Sequence, residues 1–402
     1  MNIHTPTGPV SPSLRHGRPY WVVLMLLGLI TLLACSDHLQ PPLVVTPGID
    51  QHPPLSQTHK WIALLCMLAN VNYDLVAASE AELSQNTLKI NEALQTNADV
   101  RAYLGADWQV VWGPVIANNK RKSATSPVDS FITDNTMYVA RGTDLATGKS
   151  IHVVAIAGTN AVAKTGALFE DFNVVNLTDW DTPGSGKINL GSALGLAILN
   201  RMRDGATGKT LLEFMGTLGN AGPVEVAFTG HSLGGALCPL MALRCIEWKQ
   251  QMGYANITVS IYPIAGPTPG DTDFAGYAAQ TFGEDYHSVI NANDIVPHSW
   301  QKDQFAQIPS LYKNAPPFNP GGSGGFRLSL QDQLAFDGLK KVIDSKTYQR
   351  IAAEREFVFT GQPNVYTDGS GTFFKEAKYQ HVLAYYKEAF GFPPSILAVL
   401  AN

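Results

Sequence analysis

The chain has 402 residues, 45% of them hydrophobic and 15% charged, with a formal net charge of −5. This is globular composition, long enough for one large domain or two small ones. A nucleic-acid binder is excluded, because that function needs a clustered basic surface. The one dense basic run, Lys120-Arg121-Lys122, reads as a solvated loop.

In chain order, Arg15 and Arg18 come first, followed by an apolar stretch from Trp21 to Leu33 and then Ala34-Cys35-Ser36. A short apolar run with positive flanks and a small residue at its end reads as a secretory signal. It is too short to span a bilayer comfortably, which takes ~20 apolar residues. Leu32-Leu33-Ala34-Cys35 resembles a bacterial lipobox. The resemblance implies that residues 1–34 are removed and that Cys35 becomes a lipid-modified N-terminus. The chain would then be held in the cell envelope by an N-terminal lipid anchor. Ser36 in place of Asp directs it to the outer membrane, and a plain signal peptide would make it secreted. Prolines 41, 42, 47, 53 and 54 make residues 35–58 an extended tether. The folded domain is expected over 59–402.

Within that domain, Trp61 to Tyr73 is apolar at helical spacing, and residues 80–105 predict a more polar helix pair. Met137 to Ala140 and Ile151 to Ile156 predict two strands joined by a turn at Asp144 to Lys149. A helix is expected over Leu190–Arg203, a strand over Val224–Phe228, and a helix apolar on most sides over Ala236–Gln251. Further strands fall at Ile257–Tyr262 and Tyr286–Asn291, and helices at 328–348 and Tyr379–Phe390. The loop at 314–325 is rich in proline and glycine. Strands alternating with helices predict an α/β fold, a largely parallel sheet covered on both faces. Cys238 and Cys245 lie about 10 Å apart on one helix at 1.5 Å per residue, too far for a disulfide. Cys66, Cys238 and Cys245 are expected to be buried free thiols.

Gly230-His231-Ser232-Leu233-Gly234-Gly235 falls between the strand ending at Phe228 and the helix near Ala236. The spacing is G-x-S-x-G, and the strand-turn-helix context makes it a nucleophile elbow. A serine on such a tight turn exposes its Oγ, and the first amides of the helix face the reacting oxygen. Bulky neighbours two positions away would clash, which accounts for the glycines.

Val226 to Leu243 around this core resembles the class 3 lipases, the group that includes fungal triacylglycerol lipases. Ile261 to Pro267 resembles the family's strand-to-loop segment after the nucleophile helix. Asn293-Asp294-Ile295-Val296-Pro297-His298 resembles the segment bearing the catalytic acid, and Val153 to Thr159 the strand and turn that supply the oxyanion hole. The likeness covers 150–300 well and 370–390 loosely. It implies an α/β-hydrolase fold with lid or cap insertions. Departures are Ala157, where the family often has Arg, the absence of a His near Asn189-Leu190-Gly191, and Pro239, which should kink its helix or leave a carbonyl unpaired.

A serine hydrolase needs a base for the Oγ proton and an acid to orient that base, in the chain order Ser, acid, His for this fold. Asp294 ends a strand before Pro297 and is the expected acid, while Asp271 and Asp273 read as helix-start or loop acids. His381 and His298 both satisfy the order. His298 sits four residues past the acid, and in the family the His trailing that segment is not the base. His381, at the start of the last helix, is the expected base. His231 is expected to point away across the elbow. The oxyanion hole is expected from the NH of Leu233 and, by resemblance, of Thr159. Ala167 to Val175, apolar and aromatic, is where the family carries its lid, or else is an ordinary core helix. No metal-ligand or phosphate-loop spacing is present, so no cofactor is expected. The reading is a carboxylic ester hydrolase acting on lipid acyl esters at a lipid–water interface. The alternatives are a phospholipase A of the cell envelope and a non-catalytic lipid-binding envelope protein.

Overall fold

The central strands are apolar on both faces, so both faces must be covered. The computed structural model describes residues 55–401 apart from 72–75, 78, 122–129, 145–146, 159–173, 220–221, 314–324 and 367–369. The expected signal segment, tether and Cys35 therefore lie outside the described residues, as do Thr159 and most of the lid stretch. None of the described helices is long and apolar enough to cross a membrane.

The chain opens with α1 (Gln57–Leu68), β1 (Val76–Ala77), α2 (Glu80–Gln95) and α3 (Ala98–Leu104). Ser56 caps α1 by accepting a hydrogen bond from the His59 backbone amide, and all of Trp61 to Leu68 is buried. Next come β2 (Gln109–Arg121), β3 (Ser130–Asp144) and β4 (Lys149–Ile156), then a small hairpin of β5 (Leu177–Asp179) and β6 (Lys187–Asn189). After α4 (Leu190–Leu199) and α5 (Leu211–Leu218) follow β7 (Val224–His231), α6 (Leu233–Met252), β8 (Ile257–Ile264), α7 (Thr272–Phe282) and β9 (Val289–Asn291). The remainder is α8 (Lys302–Phe305), α9 (Leu330–Ile343), β10 (Phe357–Phe359), α10 (Phe373–His381), a π turn at Tyr385–Ala389 and α11 (Pro394–Leu400).

The main sheet of the described residues has eight strands in the order β1-β3-β4-β7-β8-β9-β10, with β2 also paired to β3. From β4 through β10 neighbouring strands are parallel, while β1, β2 and β4 run antiparallel to β3. This is the mostly parallel α/β sheet that the alternation of elements predicts.

Strand periodicity divides the interior in two. Val154, Ile156, Val226 and Phe228 join one core with α4, α6, α7 and α9. Val153, Ala155 and Ala227 face the other, against α1 and the C-terminal residues Tyr385 to Ile396. Helix α6 is buried along most of its length, which is why its sequence is apolar on most sides.

The long β2–β3 hairpin exceeds the strand expected at Met137 to Ala140. Its pairing has register shifts between Val110 and Trp112, Trp112 and Val115, and Ala117 and Asn118. Each irregularity breaks the period-two pattern that makes a strand legible. Pro239 does not end α6, which continues to Met252. A proline there takes away the amide that would reach the Gly235 carbonyl, and the Cys238 thiol approaches that oxygen at 3.9 Å instead. Cys66, Cys238 and Cys245 are free and buried.

Candidate active site

Strand β7 delivers Ser232 at the mouth of α6 with φ 60° and ψ −124°. A side-chain-bearing residue held at positive φ is strained, and such strain persists only where the surroundings enforce it. Here they do so through backbone contact. A Cβ on Gly230 would sit 2.1 Å from the Gly234 carbonyl oxygen, and one on Gly234 would sit 2.3 Å from that of Ile156. A Cβ on Gly235 would sit 2.6 Å from the Ile264 carbonyl oxygen. The turn is thus wedged between the ends of β4 and β8. The Ser232 amide is tied to the Ile264 carbonyl at 3.1 Å. Leu233 is the first residue of α6, so its amide has no carbonyl four residues back within the helix. Among the described residues two further side-chain-bearing positions take positive φ, Ala265 just after β8 and Trp300 beyond His298.

Asp294 follows β9 and is completely buried. Its Oδ1 accepts from the Val296 amide at 2.9 Å. Its Oδ2 pairs with His381 Nδ1 at 2.8 Å and accepts from the Tyr385 hydroxyl at 3.1 Å. Tyr385 in turn accepts from the Asn291 amide at 2.8 Å. Burial, and the Asp294 carboxylate beside it, hold the Tyr385 phenol proton well above its usual range. Tyr385 is therefore a fixed donor.

His298 lies in the same loop but turns elsewhere. Its Nδ1 donates to the Asp294 backbone carbonyl at 2.7 Å, and burial lowers its pKa. Of the two histidines that satisfy the chain order, only His381 meets the Asp294 carboxylate. His381 closes α10 rather than opening the last helix. The expected helix over Tyr379–Phe390 is a helix end followed by a π turn. Asp271 caps α7, accepting from the Phe274 amide, and Asp273 lies in the first turn of that helix. Both are structural, as their sequence context suggests.

His231 departs from expectation. Its ring packs 4.6 Å from the His381 ring, and its Nε2 donates to the His381 carbonyl at 2.8 Å. Burial first, then the neighbouring His381, lowers its pKa to about 3, so it is a neutral donor. Sequence reasoning also missed Tyr385 and Asn291. The Asn291 side chain donates to the Gln380 carbonyl at 2.9 Å and accepts from the Gly361 amide at 2.8 Å. No spacing rule points to them, since their partners lie some 70 to 94 residues away. Thr159 and Ala167 to Asn173 are outside the described residues. Val174 is buried, with its carbonyl accepting from Tyr348 at 2.8 Å. Among the described residues no cluster of His, Cys, Asp or Glu is arranged to hold a metal ion.

Residues 153–303 match the model of the lipase (class 3) family. Two curated fungal lipases align over 74 residues, that of Rhizomucor miehei at 40% identity and that of Rhizopus niveus at 35%. Each alignment takes in 18% of this chain, and it spans about a fifth of the length of those relatives, 20% and 18% respectively. The crystal structure of M37 lipase superposes with a TM-score of 0.64 at 25% identity, covering 85% of this chain and 97% of that one. The matched segment holds both the Ser232 elbow and the Asp294 loop, and over it this α/β-hydrolase chain is similar to the class 3 lipase family.

Proposed function

We propose that the protein is a serine-dependent carboxylic ester hydrolase acting on lipid acyl esters. Ser232 Oγ attacks the ester carbonyl while His381 takes its proton, and Asp294 orients and stabilises the ring. The developing oxyanion is met by the Leu233 amide and by that of Thr159. His381 then returns the proton to the leaving alcohol, and water hydrolyses the acyl-enzyme by the reverse sequence. The observation that carries this reading is the 2.8 Å contact of His381 with a fully buried Asp294, on a histidine whose carbonyl is held by the residue preceding Ser232. The names of the relatives, lipases all, agree with an apolar acyl substrate.

The test is covalent labelling with a fluorophosphonate, followed by hydrolysis of esters of graded chain length. Labelling at Ser232 with preference for medium or long acyl chains is expected. An unlabelled Ser232 in folded protein overturns the reading.

The protein is further proposed to be exported and tethered to a membrane through a lipidated Cys35. The support is the Leu32-Leu33-Ala34-Cys35 sequence after a short apolar run, and the prolines that follow it. A tether of this kind would keep the hydrolase at a lipid–water interface.

A further inference from the structure

Helix α1 lies outside the segment matched to the lipase family, yet the turn that follows it reaches Gly158 at the end of β4, beside the elbow. The helix is a rigid mount. Trp61 to Leu68 is buried, the Leu65 carbonyl accepts from the Tyr138 hydroxyl at 2.5 Å, and Trp61 Nε1 donates to the Tyr103 carbonyl at 2.9 Å. Two residues past the helix, Asn70 is clamped back onto it. Its amide donates to the Met67 carbonyl at 3.0 Å and its Nδ2 to the Cys66 carbonyl at 3.2 Å. That leaves Oδ1 with a fixed direction, and it accepts the Gly158 amide at 2.8 Å across 88 residues of sequence.

Gly158 in turn touches the elbow. A Cβ there would sit 2.8 Å from the His231 carbonyl oxygen and 3.2 Å from Ser232 Cβ, so only a glycine backbone can come this close. Ala157, the other half of that peptide unit, is fully buried, and its carbonyl oxygen lies against Gly234 in the first turn of α6. The end of β4 is therefore pressed between Asn70 on one side and the nucleophile turn on the other.

We propose that Asn70 is a positioning residue for the reaction at Ser232, its side-chain amide setting the Ala157–Gly158 peptide against the elbow. The proposal rests on the reading of Ser232 as nucleophile. An amide side chain suits this task. It is neutral, so it adds no charge where negative charge develops, and it both donates and accepts, so one residue ties helix to turn. Without it, the Gly158 amide loses its acceptor and the turn is free to shift. A misplacement of about 1 Å at a reacting centre costs up to about 100-fold in rate.

The test uses the full chain with a soluble short-chain ester, and a boronic acid that forms a tetrahedral adduct on a serine Oγ. Asn70→Ala is expected to lower kcat by about 10- to 100-fold, with KM within about threefold and boronate affinity falling in step with kcat. Asn70→Asp keeps the acceptor but places an ionisable charge against the Gly158 amide, next to the Ser232 turn. Its kcat relative to the parent is expected to fall as pH rises. A kcat for Asn70→Ala within about threefold of the parent overturns the proposal. If Asn70→Ala does not fold, a parent-like pH profile for Asn70→Asp overturns it. Ser232→Ala is run in parallel. Full activity in that variant removes the hydrolase reading itself, a result distinct from any given by the Asn70 variants.

Discussion

His231 Nε2 donates to the backbone carbonyl of His381 at 2.8 Å, tying the residue before Ser232 to the end of helix α10. The bond joins positions 150 apart in sequence. It fixes the height at which α10 stops relative to the elbow. Because burial keeps the His231 ring neutral, with a pKa lowered to about 3, the tie persists across the range in which a catalytic imidazole titrates. The machinery is thus held from two sides: Asp294 and Tyr385 behind the His381 ring, and His231 at its backbone.

Removal of the proposed nucleophile or of the proposed base is expected to cost comparable rate. Ser232→Ala and His381→Ala should each lower kcat by about 10⁴-fold or more, and the double variant little further, since such groups act as a unit. His298→Ala should lose far less, because His298 serves the Asp294 backbone and not its carboxylate. Parallel kinetics on the purified variants check this. A larger loss for His298→Ala than for His381→Ala would reverse the assignment.

Tyr385→Phe isolates the support behind the acid. The hydroxyl serves Asp294 Oδ2 and the Asn291 amide at once, and its loss leaves a buried N–H without acceptor, worth about 1–3 kcal/mol. A Tm lower by several degrees and a kcat reduced by about tenfold are expected, the latter corresponding to about 1.4 kcal/mol. Calorimetry and steady-state kinetics measure the two effects separately. Parent-like values of both would show that the hydroxyl supports neither the fold nor the acid.

Glu376 predicts a pH dependence of stability. It is almost wholly buried one turn before His381, and burial pushes its pKa from the usual 4.5 to about 7, against hydrogen bonds from Gln380 and Asn364 that pull it down. The folded chain therefore holds this proton where the unfolded chain has released it. The stability it contributes is present in full below about pH 4.5 and is lost as pH rises through about 7. The magnitude is about 3 kcal/mol. Denaturant titrations between pH 4.5 and 8 should show this fall superposed on other groups, and Glu376→Gln should lack it. Identical pH slopes for the two proteins would rule out the buried titration.

The proposed lipid tether makes a prediction that needs only the native protein. Intact-mass measurement should find a mature chain beginning at Cys35 and carrying more than one acyl chain, because a single chain anchors only marginally. An unmodified Cys35, or an N-terminus elsewhere, refutes it.

The sequence by itself determined what depends on near neighbours. The elbow was legible because its G-x-S-x-G pattern falls on consecutive residues, although only Gly230 is crowded from within the turn, by Gly234, while Gly234 and Gly235 meet the ends of β4 and β8. The apolar strands β4, β7 and β8 were legible for the same reason, since a strand buried on both faces is apolar throughout. The hairpin β2–β3 was partly hidden because its register shifts scramble the alternation. The sequence and its family resemblance already favoured His381 over His298 as base, and the tertiary structure adds the contact that distinguishes them. His298 lies four residues from Asp294 and His381 lies 87 away, yet the nearer one turns to a backbone carbonyl and the distant one meets the carboxylate. Tyr385, His231 and Asn70 entered in the same way, each through hydrogen bonding across 88 to 150 residues. Such contacts leave no periodicity in the chain. They exist because the parallel sheet brings the ends of β4, β7 and β9 to one edge, where residues remote in sequence share one set of donors and acceptors.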